Sequence, residues 1–500
     1  GYLFNNAATA EVAYEMILAE QRRHLHRESA EWYENNFKDQ LQPFYMRLMY
    51  HWNAAEEVKK AIHYCKLESM RLFQLGYVQQ ALEVGLQGAE FLDFKAPGEA
   101  NAIGAEIGTH MAAIAGLLEG RSIADLIDHK PLENLETELL IDLLLYLCPL
   151  AHQCHQAELF ALFPVFCLQR TLEEGNGPSA AEVYSMYSII HKALNGDDQG
   201  AFEWSNLALK VDRKNNHTRQ ARVSFIHCWF IAHWFVPYRE LIPMADQGAD
   251  AGFRLNDILY ACFNLSLSVV IKCVCGFKLD EIVRSAEENL KRNNQLVRNA
   301  AFHLVHERQV ARAFQGKTNH YLSFSDDEVD EEADLASILN TDMYNQIGYY
   351  LISKVKLNVH YHHWEQALEW AEKAAPLIQA FANQPGHMEL EQYHAMAALY
   401  ASHGPDQPNS EKLSDLAMGK MALMEKWAGH CASNFQHKYL LLKAIHAGQS
   451  GEIPEATALF EKAASAAKES GFIQDAALAH EHLTLLQEKN NRPFKLELEN

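Results

Sequence analysis

One spacing of small and apolar positions recurs at the start of several predicted helices. A turn residue is followed five positions later by a small residue, and usually by another small residue seven positions after that. The clearest copy is Gly451, Ala456, Phe460 and Ala463, in the stretch GEIPEATALFEKAASAAKESG. The other four copies are Glu56 with Ala61; Gly76 with Ala81 and Gly88; Gly196 with Ala201 and Ala208; and His362 with Ala367, Ala371 and Ala374.

Small residues at these places let two antiparallel helices pack closely beside a tight turn. The spacing resembles the second-helix signature of tetratricopeptide-type repeats, and it predicts that these residues pack the repeats together. The copies at Glu56 and Gly76 are so close that they share a helix, so they cannot both be full repeats. The pattern favours a stacked-helix scaffold that binds or transmits.

Helical periodicity continues between interruptions whose spacing is irregular, which indicates degenerate repeats. Residues 11–37 read as an amphipathic helix, and residues 58–75 and 78–92 as a helical hairpin. Glycine or proline, which close or block helices, recur at 43, 97–98, 175–178, 195–198, 276, 316, 384–386 and 404–405. No alternating pattern flanked by hairpin turns stands out, so we expect few strands or none. The predicted fold is all-α, a tetratricopeptide-like α-α superhelix of degenerate helical hairpins.

Composition narrows the range of partners. The 500 residues are 48% hydrophobic and 22% charged, as in a folded, helix-rich chain, and repeat arrays reach this length without a domain break. The formal net charge of -22, with no basic cluster, disfavours nucleic acid and anionic membrane surfaces as partners. Residues 259–277 are apolar, but Asn264 and Lys272 favour a core helix over a membrane span.

The cysteines and the first residue bear on the setting of the chain. Nine sparse cysteines in apolar surroundings are typical of free thiols, which indicates a reducing, cytoplasmic location. The sequence starts at Gly1, within an apparent motif, so we expect a piece of a longer protein.

The usual catalytic templates are missing from the sequence. Met418-Gly419-Lys420 lacks the first glycine and the hydroxyl residue of a phosphate-binding loop. Gly-x-Ser-x-Gly, His-Glu-x-x-His and Gly-x-Gly-x-x-Gly do not occur. We therefore predict no catalytic residue and no cofactor in this chain.

One Cys/His cluster and one acidic run could in principle bind metal, and one cysteine pair, Cys273 and Cys275, could in principle be a redox pair. Cys148, His152, Cys154 and His155 carry zinc-ligand chemistry, but Pro149 is expected to break the local helix and no second half-site is evident. Cys273 and Cys275 would point to different faces of a helix. Residues 326–332 (DDEVDEE) lack the pattern of a calcium loop and indicate a solvated loop or helix start. We predict no metal site, with an unrecognised metal enzyme using the Cys148 group as a minor alternative.

Aromatic and histidine-rich stretches have a structural interpretation as well as a functional one. Residues 225–238 (FIHCWFIAHWFVPY) could line a ligand groove, although core packing is favoured. The histidine pairs are favoured as surface or hydrogen-bonded core residues over acid-base groups; they are His303/His306, His362/His363 and His480/His482.

Residues 4–34 resemble a junction found in signalling ATPases of the soluble-adenylyl-cyclase-like class. There a phrase F-x-H-x-x-x-x-E-V-A-Y-x-x-L, followed by R-R-x-L-H, links the ATPase module to a helical tail with Y-H-W and A-I-x-Y. Matching positions here are Glu11-Val12-Ala13-Tyr14, Arg22-Arg23-His24-Leu25-His26, Tyr50-His51-Trp52 and Ala61-Ile62-His63-Tyr64. Asn5-Asn6 stand where that class has a basic residue and a histidine.

Much of the remaining chain resembles the long helical region of very large kinases with a protein-kinase-like domain, an ATPase, a GAF domain and a sensor histidine kinase. The similar stretches are residues 121–128, 175–178 with 196–197, 234–242, 434–442 and 471–480. The resemblance implies three parts: the end of an ATPase-associated module and lead-in at 1–53, degenerate helical repeats at 54–320, and tetratricopeptide-like repeats at 321–500.

The function implied by this resemblance is regulatory and non-catalytic. The chain is expected to couple binding of a ligand, or of a protein or peptide partner, to a linked cyclase or kinase, in contact with adjacent domains of the same polypeptide. The alternative is a freestanding tetratricopeptide-like interaction scaffold.

Overall fold

The computed structural model describes residues 7–294, 297–339, 344–402 and 410–491. These residues form an all-helical structure, which confirms the predicted all-α class. The described part contains no strand, and its one isolated bridge joins Pro131 and Asn176. The predicted interruption at 404–405 lies outside the described residues.

The described residues form 24 α-helices. The first twelve are α1 (Ala7–Glu15), α2 (Ala19–Asn36), α3 (Tyr45–Ala54), α4 (Val58–Gln74), α5 (Val78–Glu90), α6 (Ala100–Leu117), α7 (Leu135–Gln153), α8 (Ala157–Glu174), α9 (Ala180–Asn195), α10 (Asp198–Lys214), α11 (Gln220–Ile226) and α12 (Tyr238–Leu255). The others are α13 (Ile258–Val274), α14 (Leu279–Asn293), α15 (Arg298–Phe314), α16 (Glu331–Leu339), α17 (Tyr344–His360), α18 (Trp364–Ala374), α19 (Ile378–Phe381), α20 (Pro385–Ala401), α21 (Ser410–His430), α22 (Ala432–Gln449), α23 (Ile453–Glu469) and α24 (Ile473–Asn491).

The chain divides into two compact units. Unit 1 takes the described residues up to Ile190 together with Arg213–Asn215, and unit 2 takes His191–Asp212 and the described residues from Asn216 onward. In unit 2 the main apolar core extends from Cys228 to Ala479, and two smaller clusters of buried residues lie within residues 262–311. The three-part division at residues 53 and 320 stays a prediction.

A tight turn of one kind joins several helix pairs. Gly76 and Gly451 have φ values of +87° and +83°, and each lies just after a helix. The next amide donates back across the turn, from Tyr77 to the carbonyl of Leu72 (2.9 Å) and from Glu452 to that of Ala447 (2.9 Å). A left-handed residue with this hydrogen bond ends a helix and frees the chain to reverse. The predicted turns at Glu56, Gly196 and His362 are left-handed as well.

Two helix predictions need correction. Residues 11–37 form two helices, because α1 ends at Glu15 and α2 begins at Ala19 after an extended Leu18. Pro149 does not break α7, which runs through it to Gln153. The neighbouring Leu147 and Leu150 are buried, so apolar packing outweighs the hydrogen bond that proline removes.

The apolar stretch at residues 259–277 is a core helix, as predicted. It forms α13, which packs against α12, α14 and α15, and also against the later α20. Asn264 is fully buried there and donates to the carbonyls of Ala221 (2.7 Å) and Tyr260 (2.8 Å). Within the described residues, no helix combines the length and the apolar character needed to cross a bilayer.

Candidate functional site

The residues of the recurring spacing occupy two kinds of position. The turn residues Gly76, Gly196 and Gly451 are left-handed, with open space where a Cβ would lie. The small or apolar residues that follow are all buried: Ala61, Ala81, Gly88, Ala201, Ala208, Ala367, Ala371, Ala374, Ala456, Phe460 and Ala463. A Cβ at Gly88 would lie 2.4 Å from the Sγ atom of Cys65, so α4 and α5 approach closely there.

Sequence reasoning missed two further copies of the spacing. Asn256 has a φ of +60°, and the buried Ala261 and Ser268 follow at the same intervals. Gly471 has a φ of +82° and is followed by the buried Ala476. Asparagine tolerates the left-handed conformation better than most residues, so Asn-Asp at 256–257 was the available signal.

Residues 225–238 form part of the core, as favoured from the sequence. A π-helix at His227–Ile231 and a 3-10 turn at Ala232–Trp234 follow α11, and neither was predicted. Trp234 is 2% exposed and packs on Trp427 and Phe435, with ring centroids 4.9 and 5.6 Å away. These aromatic groups therefore hold helices together within unit 2.

A seam joins α12 and α13 to helices near the other end of unit 2. We call it the closure seam, and it comprises Arg239, Asn434, His437, Lys438, Gly471, Gln474 and Asp475. Arg239 donates from Nη2 to the carbonyl of Cys275 (3.2 Å) and to that of Gly471. Gln474 Nε2 donates to the carbonyl of Val274 (2.8 Å). These hydrogen bonds join the end of α13 to the segment between α23 and α24.

Asn434 holds the second part of the closure seam. Its Nδ2 donates to the carbonyls of His233 (2.7 Å) and Val236 (2.9 Å), and its Oδ1 accepts from the amide of Tyr238 (3.0 Å). The side chain is fully buried. It therefore satisfies three backbone groups of the chain entering α12, which lies about 200 positions earlier in the sequence.

A buried charge cluster forms the third part of the closure seam. Asp475 Oδ2 accepts from Lys438 Nζ (2.7 Å) and from His437 Nε2 (2.9 Å), and Lys438 also donates to Gln392 Oε1 (2.9 Å). Burial opposes the charge of Asp475, but Lys438 and His437 outweigh it and lower the pKa of that carboxyl. Burial lowers the pKa of His437 despite its acidic partner. We therefore assign the ion pair to Asp475 and Lys438, with a neutral imidazole.

A second charged group lies inside unit 2. Lys356 Nζ donates to Glu389 Oε1 (2.7 Å), while Glu307 is buried nearby. Burial, and then the Glu389 carboxylate, raise the pKa of Glu307 to about 7, against the opposing effects of Lys356 and Cys273. The group has a carboxyl that titrates near neutrality, enclosed by α13, α15, α17 and α20.

The cysteine clusters do not gather a set of metal ligands. Among the described residues, no group of three or more His, Cys, Asp and Glu side chains is arranged to hold a metal ion. Cys148 is buried and donates to the carbonyl of Leu144 (3.4 Å), and burial lowers the pKa of His152 to about 4. Cys275 belongs to the apolar core, whereas Cys273 lies beside Glu307, so the two thiols have different surroundings.

The acidic run is less solvated than predicted. Asp326 and Glu331 are largely buried, with side-chain exposures of 10% and 12%. Asp326 accepts from Arg312 and Gln309 (both 2.8 Å), and Glu331 pairs with Lys354. Only part of the run is exposed, because ion pairs and hydrogen bonds to neighbouring side chains compensate the burial of these two carboxylates. Glu331 does begin a helix, α16, as one of the two interpretations had it.

The closure seam brings together three stretches that were noted separately in the sequence. Residues 234–242 contribute Arg239, residues 434–442 contribute Asn434 and Lys438, and residues 471–480 contribute Asp475. Sequence reasoning marked these stretches by resemblance alone and named none of their residues as a site. Their side chains contact one another only in the folded unit, so no local spacing marks the site.

No protein-family model matches this chain, and the search of curated proteins finds no match.

Proposed function

We propose that this chain is a regulatory, non-catalytic helical-repeat region of a cytoplasmic signal-transduction ATPase, folded as a tetratricopeptide-like superhelix. It couples the binding of a ligand or partner to a linked output domain, either a nucleotide cyclase or a histidine or serine/threonine kinase. The resemblance of residues 4–34 and of the later stretches motivates the ATPase link. The observation that carries the coupling role is the closure seam.

The seam supports coupling because it joins distant parts of one unit. In a repeat array each repeat contacts mainly its neighbours, so a local change passes from one repeat to the next. Here Arg239 and Asn434 tie the start of α12 to the starts of α24 and α22. In this proposal the seam has a closed and an open state. A ligand shifts the equilibrium between them only by the difference between its affinities for the two states.

An exposed apolar stripe in unit 1 supports contact with an adjacent domain. Leu18, Leu25 and Trp32 follow one another at intervals of seven and are 69, 47 and 54% exposed. Leu25 and Trp32 lie on nearly the same face of α2, and Leu18 is the extended residue just before that helix. Exposed apolar patches of this kind mark protein contacts, and in the proposal the ATPase module covers this one.

The test has two steps. The reading frame is first sequenced on both sides of this region; a phosphate-binding-loop ATPase upstream and an output domain in the same frame are expected. Arg239→Ala is then introduced into that full-length protein, with the exposed Arg254→Ala on the same helix as control. The proposal predicts that Arg239→Ala changes the output activity about tenfold or its response to activators, while Arg254→Ala does not.

Two results would overturn the proposal. Stop codons on both sides would leave a freestanding tetratricopeptide-like scaffold. If Arg239→Ala has the same output activity as the wild type although the seam is shown to be open in the variant, the seam does not couple binding to output.

A further inference from the structure

A column of stacked rings runs across the last helices of unit 2. Trp364 and Tyr400 lie 4.2 Å apart between centroids, with planes 16° from parallel, and His482 continues the column 5.2 Å from Tyr400. Phe460 follows, 6.4 Å from His482 with planes 11° apart. Offset stacking of this kind builds a rigid aromatic wall.

The wall borders a half-open cavity of about 290 Å³. Trp364, Tyr400, Phe460 and His482 line it together with Ile445 and Leu486, while Gln449 and Lys489 supply polar groups. Gly448 also lines the cavity, and a Cβ there would lie 3.1 Å from Leu486 Cδ1. Glycine inside a helix costs about 1 kcal/mol relative to alanine, and here its missing side chain leaves the cavity open.

The polar groups around the cavity are few and differ in character. Tyr400 Oη and His482 Nδ1 lie 2.6 Å apart, so this hydrogen bond fixes both rings. Burial lowers the pKa of His482 to about 3, which keeps the imidazole neutral. Lys489 is exposed and has no ion-pair partner within the described residues. It places a positive charge beside an apolar cavity in a chain of net charge -22.

We infer that this cavity binds a small planar aromatic acid, whose ring face lies against the ring edges of Trp364, Tyr400 and Phe460 and whose carboxylate meets Lys489. The volume is close to the lower end of ligand pockets, about 300 Å³, and the lining has their usual mixture of aromatic groups and a few polar ones. The site would be the ligand-receiving end of the proposed coupling region. Its binding is measured directly, so a failure here leaves the reading-frame test of the proposed function unaffected.

The test uses calorimetric titration of the whole chain with indole-3-acetate, indole and cyclohexylacetate. Indole-3-acetate is expected to bind at a single site, about tenfold more tightly than cyclohexylacetate, because a saturated ring has no π face to receive the ring edges of the wall. Lys489→Ala is expected to lower the affinity for indole-3-acetate about fivefold and to leave the affinity for indole unchanged, because only the acid has a carboxylate that contacts the cation.

A matched pair of variants locates the site. Leu485 lines the cavity and Ile473 does not, yet both are exposed on α24. Leu485→Trp should fill the cavity and abolish binding, whereas Ile473→Trp should bind as the wild type does; circular dichroism melting checks that both are folded. The inference is overturned if no probe gives saturable binding at millimolar concentration, if cyclohexylacetate binds as tightly as indole-3-acetate, or if folded Leu485→Trp binds normally.

Discussion

Arg239 donates a hydrogen bond to the carbonyl of Gly471, a residue 232 positions later in the chain. The same guanidinium group donates to the carbonyl of Cys275 (3.2 Å) and lies 4.4 Å from the ring centroid of Phe277. Both carbonyls belong to residues just after a helix, where the partial charge of the helix end is negative. One cation therefore stabilises the ends of α13 and α23 together and holds unit 2 closed.

Asn434→Ala should weaken unit 2 more than an ordinary buried asparagine would. The change leaves the carbonyls of His233 and Val236 and the amide of Tyr238 without their partner. We expect the free energy of unfolding to fall by about 3 kcal/mol, because buried polar groups left unpaired cost about 1–3 kcal/mol each. Urea unfolding followed by circular dichroism measures it.

Asn289→Ala is the matched control for that change. Asn289 donates a single hydrogen bond, to the carbonyl of Leu265 (2.9 Å), and is only partly buried. Asn289→Ala should therefore lower the free energy of unfolding by only about 1 kcal/mol. Equal losses in the two variants would mean that Asn434 does not hold the seam.

Gly88→Ala and Gly104→Ala should have opposite effects in unit 1. A Cβ at Gly88 would lie 2.4 Å from Cys65 Sγ and 3.3 Å from Cys65 Cβ, whereas at Gly104 nothing lies within 4 Å. Alanine favours helix by about 1 kcal/mol over glycine, so Gly104→Ala should stabilise. Gly88→Ala should destabilise by about 1–3 kcal/mol through overpacking. Thermal unfolding of both variants measures these effects on stability. Stabilisation by Gly88→Ala would contradict the close packing of α4 on α5.

Glu307→Gln should change how the stability of unit 2 depends on pH. Burial and the Glu389 carboxylate raise the pKa of Glu307 to about 7, against about 4.3 for a free glutamate. Between these values the folded state keeps a proton that the unfolded state releases, so the free energy of unfolding falls as pH rises. Glutamine does not titrate, so the variant should gain about 2–3 kcal/mol relative to wild type between pH 5 and pH 8.

Unfolding curves at several pH values measure that gain. The exposed Glu332→Gln is the control and should follow the wild type. A Glu307→Gln profile parallel to the wild-type profile would show that the carboxyl ionises normally.

His394→Leu should reduce acid sensitivity. Burial lowers the pKa of His394 to about 3, and its ring nitrogens have no hydrogen-bond partner among the described residues. Below the unfolded pKa of about 6.5 the unfolded state binds a proton that the folded state does not, so stability is lost as pH falls. Between pH 6 and pH 4, the free energy of unfolding of His394→Leu should therefore fall by about 1.4 kcal/mol less per pH unit than that of the wild type.

His480→Leu provides the comparison, since His480 is exposed on α24. Acid unfolding of both variants is followed by circular dichroism. If the two substitutions shift the acid midpoint equally, burial of His394 is not the cause.

The sequence predicted local features well and distant ones poorly. Gly76 and Gly451 were identifiable because a left-handed turn favours glycine, and the small residue five positions later completes a pattern that is visible in the local sequence. The buried pair of Lys438 and Asp475 was not, because each lies on a helix whose local pattern does not show what packs against it. Pro149 misled for a similar reason: the packing that keeps α7 intact comes from other helices.

Hydrogen exchange of Arg239→Ala, compared with Arg254→Ala and wild type, tests the closure of unit 2 most directly. If the seam closes unit 2 as one cooperative body, Arg239→Ala should speed exchange by about tenfold or more at amides near 234–240 and also near 274–277, 434–438 and 471–476. Faster exchange confined to residues beside 239, with the later segments as protected as in wild type, would contradict the account.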